Sequence, residues 1–106
     1  MRVLEFKVDM QTLSKQPGCD FSNIVAGTNN YLVAKFNFTD EDWDGCEKTV
    51  SFWINEHRIP VVLNENNECL IPHRVCQEKM VGVSVSGKRH RYSIQTNKYY
   101  FKQSVV

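Results

Sequence analysis

The chain has 106 residues, 42% of them hydrophobic and 24% charged, with 13 Lys and Arg against 12 Asp and Glu. This length fits a single domain over residues 1–106 with one core. The formal net charge of +1 argues against a general binder of nucleic acid or anionic membrane, which needs clustered positive charge. No apolar run reaches the ~18 residues of a membrane helix, and Met1–Lys7 lacks the apolar block of a secretory signal, so synthesis in a cytoplasm is expected.

Leu4, Phe6 and Val8 alternate with Glu5, Lys7 and Asp9, the period of a strand with one buried face. Met10–Phe21 loses that alternation, with a turn at Pro17-Gly18. Ser22–Ala26 reads as a short strand before the turn-rich Gly27–Asn30. Tyr31–Thr39 alternates cleanly and places Leu32, Ala34, Phe36 and Phe38 on one face. An acidic turn, Asp40–Asp44, carries Trp43, and Gly45 supplies a backbone angle that a side chain resists.

Lys48–Ile54 puts Val50, Phe52 and Ile54 on one face and Thr49, Ser51 and Trp53 on the other. Arg58–Leu63 continues as a strand that Pro60 confines to an edge or a bulge, because proline has no N–H for a ladder. Asn64–Glu68 is a polar turn, Cys69–Ile71 a short apolar stub, and Pro72–Glu78 at most one helical turn. Met80–Val85 alternates strongly, Gly87–Arg91 forms a hairpin tip, and Tyr92–Thr96 and Lys98–Val105 complete the set. These elements predict an all-β fold: an antiparallel two-sheet sandwich of about seven to eight short strands, in preference to a closed barrel. Phe36, Phe38 and Phe52 are expected in the core, with Trp43 folded back to cap its open end.

No catalytic constellation emerges. Asp40–Asp44 lacks the spacing of a calcium loop. Cys69, His73 and Cys76 lie within eight residues but lack the close C-x-x-C pair of a zinc site, and a fourth ligand would have to come from Cys19, Cys46 or His57. No spacing pairs Cys46 or Cys76 with His57 or His73 as a nucleophile and base. The expectation is a non-enzyme without cofactor or metal, whose four cysteines are reduced thiols. The one positive cluster, Lys88, Arg89, His90 and Arg91, flanked by Tyr92 and followed by Tyr99 and Tyr100, is the candidate partner-binding surface, against the simpler reading of a solvated hairpin tip. Three consecutive rings at Tyr99, Tyr100 and Phe101 cannot all face one side of a strand, which predicts exposed apolar surface there.

Leu4–Leu13, Asn30–Phe38 leading into Asp42–Gly45, Lys48–Phe52, Cys69–Pro72, Val83–Gly87 and Thr96-Asn97 follow one another in this order. In this arrangement the chain resembles the small β-sandwich domains of bacteriophages and prophages of Gram-positive bacteria, found alone or at the N-terminus of tail, baseplate and fibre proteins. The most specific part is the W-D-G turn after an F-x-F strand, with the later C-x-I-P. The resemblance implies a virion structural or assembly module made in the bacterial host cytoplasm and carried in the virion. Such a module works by docking onto another virion protein or by self-association into a homo-oligomer. Because the sequence stops at Val106, receptor binding by a downstream region does not transfer. The alternative from another class is a small phage-encoded inhibitor of a host enzyme or anti-phage defence complex, equally short and without chemistry.

Overall fold

A computed structural model describes residues 1–106. Nine strands follow one another: β1 Arg2–Asp9, β2 Thr12–Lys15, β3 Leu32–Phe38, β4 Glu47–Ile54, β5 His57–Val62, β6 Glu68–Leu70, β7 Met80–Arg89, β8 Tyr92–Gln95 and β9 Tyr99–Lys102. Helical structure is confined to 3-10 turns at Glu41–Trp43 and Val75–Gln77, the second within the segment expected to hold one helical turn.

Two sheets face each other as the predicted sandwich. One has the order β2-β1-β3-β6, and the other has β5-β4-β7 with β8 and β9 both on β7. Strand β4 already occupies β7 from Gly82 to Lys88. A strand has only two edges, so β8, paired with Ser86–Arg89, and β9, paired with Met80–Val83, lie end to end along the other one. All pairings are antiparallel except β1 with β3, which run parallel from Arg2↔Leu32 to Val8↔Phe38. Period-2 alternation predicts that a strand exists and which face it buries, and is silent on the direction of its partner.

The inward residues meet in a cluster of 19 buried side chains. Leu4, Phe6, Val8, Leu32, Ala34 and Phe36 come from one sheet, and Val50, Phe52, Val81, Val83, Val85 and Phe101 from the other. Phe6 stacks on Phe36 with ring centroids 5.0 Å apart, and Phe21 meets Phe6 edge-on at 5.3 Å, arrangements that suit the aromatic quadrupole. Phe38 is half-buried at the border of this core. Pro60 sits in β5, which pairs only with β4, so its missing N–H deprives no ladder.

Three local expectations change. Met10–Gln11 is a tight turn that folds β2 back on β1, with Met10 in left-handed backbone at φ 52°. No glycine or asparagine advertises it. Ser22–Ala26 forms no strand: it makes one bridge, Val25↔Ser104, and is laced by Ala26 N–H to the Ser104 carbonyl and Ser104 N–H to the Ile24 carbonyl. Strand β7 runs on through Arg89, which moves the hairpin tip to His90-Arg91, with His90 at φ 46°.

Candidate functional site

The acidic turn is built as a clamp. Asp40 caps its 3-10 turn, accepting from the Asp42 N–H, and its other oxygen accepts from the Met10 N–H at 2.9 Å. Trp43 returns the link by donating Nε1–H to the Met10 carbonyl at 2.8 Å. Its ring is fully buried against Phe38 and lies over Gly87. Asp42 has its carboxyl raised above the ordinary carboxylate range by loss of hydration, helped by the bond to Asp40 and the charges of Asp40 and Glu41. This geometry ties the turn to the β1–β2 hairpin.

The positive cluster of residues 88–91 divides. Arg89 donates Nη1–H to the Asp44 carbonyl and lies 4.6 Å from the Tyr92 ring centroid, so it holds the acidic turn in place. Burial and the nearby Asp42 charge raise the Tyr92 hydroxyl pKa. Lys88 opposes Glu47 across the ladder, while His90 and Arg91 form the exposed tip. Tyr99 packs on Phe6 and Phe21, and Tyr100 faces out, 54% exposed. On β7, Tyr92 pairs with Arg89 and Tyr100 with Gly82. A separation of seven residues puts the two ends about 23 Å apart. The candidate residues therefore make no single surface.

A different set is assembled by register. Arg58 opposes Trp53, Trp53 opposes Gly82, and Gly82 opposes Tyr100, forming one row across β5, β4, β7 and β9 on the outer face. Gly82 makes the row possible: a Cβ there would stand 2.9 Å from Tyr100 Cε1 and 3.2 Å from Trp53 Cβ. Lys98 places Nζ 3.8 Å from the Trp53 ring centroid, a cation–π contact. Trp53 donates Nε1–H to Ser84 Oγ at 2.9 Å, and Arg58 donates Nε–H to Ser51 Oγ at 2.7 Å. Met80 and Lys102 extend the face beyond Tyr100. The outward face of Trp53 was readable in the alternation of 48–54. Its alignment with Arg58 and Tyr100 depends on register, which no local pattern states.

On the other sheet, Val3, Val33 and Leu70 line up across β1, β3 and β6, with Tyr31 and Met1 exposed at that end of the molecule. Cys69, His73 and Cys76 do not converge as ligands. Cys69 lies opposite Ala34, and burial pushes its thiol up to about 12. His73 contacts the Thr28 carbonyl through Nδ1 and Gln77 through Nε2. Cys76 is buried with Sγ toward the Ile71 carbonyl, and burial raises its pKa against a lowering bond from Thr28. No three His, Cys, Asp or Glu side chains are grouped as a metal would require, and all four cysteines are free.

No family model matches the chain, and no curated protein matches it either. Among solved structures it is similar to the N-terminal domain of phage TP901-1 ORF48, with a TM-score of 0.51 and 10% identity, over 99% of this chain and 98% of that one. At so low an identity the likeness is one of fold.

Proposed function

We propose that this chain is a non-enzymatic structural or assembly module of a phage or prophage virion of a Gram-positive host, associated with its tail, baseplate or fibre and acting through protein–protein contacts that include self-association. The observation that carries this reading is the end-to-end likeness to an N-terminal domain of a phage protein, which leaves neither chain with a substantial unmatched part. The order of F-x-F strand, W-D-G turn and C-x-I-P stub in the sequence points the same way. Two outward sheet faces, one bearing Trp53 and Tyr100 and the other Val3, Val33 and Leu70, offer the apolar surface that docking needs. The protein is made in the host cytoplasm and carried into the particle.

Mass spectrometry of purified particles tests this: peptides of the chain should occur at a fixed ratio to other tail proteins, and light scattering should find more than one copy per soluble species. Absence from particles, together with co-purification of a host enzyme, would replace this reading by that of a host-directed inhibitor.

A further inference from the structure

We infer that the outer face of the five-stranded sheet, along the row Arg58–Trp53–Gly82–Tyr100, is a docking site for an acidic, extended segment of a partner protein. The inference deepens the docking role proposed above and rests on it only for its biological setting.

Three observations support it. The first is unpaired charge. The molecule contains one ion pair, Lys35 with Glu68, so Arg58, Lys98 and Lys102 have no acidic partner, and all three side chains are exposed. The second is anchoring. Arg58 is held through Nε by Ser51, and its two terminal amino groups make no hydrogen bond within the protein, which leaves that pair of donors to receive a carboxylate in two bonds. Lys98 is held over the Trp53 ring, which fixes a flexible cation at little further entropic cost on binding. The third is apolar surface between the charges: the Tyr100 ring lies across Gly82, which has no side chain to hold it off, and stands beside Met80 at 44% exposed.

The dimensions fit. Four strands spaced by about 4.8 Å place Arg58 and Tyr100 roughly 14 Å apart. An extended peptide advances about 3.3 Å per residue with alternate side chains on one side. Carboxylates at positions i and i+4 of such a peptide therefore reach Arg58 at one end and Lys102 on β9 at the other, with Lys98, held over Trp53, between them. On this face the one acidic residue within the strands is Glu47, which stands at the far end opposite Lys88. A nucleic acid is the weaker fit. The cations form a short row rather than a track along a backbone, and the Trp53 ring on which a base would stack is occupied by Lys98.

The test uses the whole chain and a ten-residue peptide alternating glutamate and serine, with its glutamine counterpart as control. The two indole N–H signals in a nitrogen–proton NMR spectrum report separately on the outer face, through Trp53, and on the core, through Trp43. Adding the glutamate peptide should shift the Trp53 indole and the Tyr100 and Met80 amides while leaving the Trp43 indole in place. It should bind at least tenfold more tightly than the glutamine peptide. The double variant Arg58→Gln with Lys98→Gln should lose at least tenfold in affinity while keeping the Trp43 indole signal, which shows that it is folded.

Equal binding of the two peptides, no binding, or shifts confined to other faces would each overturn the inference. Tighter binding of oligothymidylate at the same residues would assign the face to nucleic acid instead. Peptide-independent, concentration-dependent broadening of these signals that the double variant abolishes would assign it to a second copy of the chain. All these outcomes are independent of whether the protein is found in particles, so the inference and the proposed function fail separately.

Discussion

Gly87 has no side chain where the Trp43 ring lies: a Cβ added there would stand 2.9 Å from ring atoms Cε3 and Cζ3 and 3.1 Å from Cys46 Cβ. The strand supplies a socket, and the turn after the F-x-F strand supplies the ring that fills it. Gly87→Ala should therefore cost about 1–3 kcal/mol as overpacking, and Trp43→Ala about 3–5 kcal/mol as an unfilled cavity. Gly82→Ala meets an equally short approach from the Tyr100 ring, which is 54% exposed, and a second from Trp53 Cβ at 3.2 Å. Its cost should stay below that of Gly87→Ala, because an exposed ring yields more readily than the buried Trp43 ring and alanine has the better strand propensity. Urea midpoints of the three variants check the ranking. Gly82→Ala proving the most damaging would mean that the outer row, not the turn, is the tightly packed site.

Asn97 pins the two sheets together at one edge. Its Oδ1 accepts from the Leu13 N–H at 2.7 Å, and its Nδ2–H groups reach the Leu13 and Lys98 carbonyls at 3.3 and 3.2 Å. Beside it Gln11 donates to the Gln95 carbonyl and accepts from the Asn97 N–H. Asn97→Ala should destabilise by about 1–3 kcal/mol because the Leu13 groups lose their partners. It should also raise hydrogen exchange at Leu13 more than at Val50. Uniform exchange changes across both strands would argue against a local pin.

Asp42 makes stability depend on pH. Its folded-state pKa is raised, so the folded form holds the proton more tightly than the unfolded chain does. The stabilisation it gives is fully present below the ordinary carboxylate pKa and is lost as pH rises through the folded value. Asp42→Asn should thus melt higher than the natural protein near pH 7, with the gap closing as pH falls through the carboxylate range. A variant that melts lower at pH 7, by an amount constant with pH, would contradict the assignment.

The thiols should be slow to react. With Cys69 pushed up to about 12 from 9.0, its thiolate fraction at pH 8 is about a thousandfold below that of an ordinary cysteine. Timed alkylation of the native protein should leave Cys69 and Cys76 unlabelled long after Cys19 has reacted, and urea should equalise them. Prompt labelling of Cys69 would show that β6 opens readily.

Much of this architecture was legible because each sheet buries one face. In β3, β4 and β7 the apolar residues at every second position name both the strand and its inner side. Phe36, Phe52 and Val83 lie in the core as that pattern requires. Strand β2 was hidden because its turn uses Met10 in a conformation usually left to glycine or asparagine. Residues 22–26 imitated a strand because Ile24 and Val25 are apolar, but there the chain crosses to reach the C-terminal segment and Arg2, which donates to the Asp20, Ser22 and Asn23 carbonyls. The basic run 88–91 was contiguous in sequence and is split in space, since Arg89 turns to Asp44. The row from Arg58 to Tyr100 is the reverse case, scattered over more than forty residues of sequence and joined only by register.

The parallel pairing of β1 with β3 also orders events in time. Strands β4 and β5, and likewise β7 and β8, are hairpins closed by short turns, and such local loops close early. Strand β1 has its own hairpin with β2, but it enters the main sheet only after the whole stretch to residue 32 has crossed over. The first strand in chain order is then among the last to be placed. Leu4→Ala should accordingly speed unfolding with little change in the folding rate, whereas Val83→Ala should slow folding. Stopped-flow kinetics of the two variants measure this, and a slowed folding rate for Leu4→Ala would put the crossover inside the nucleus.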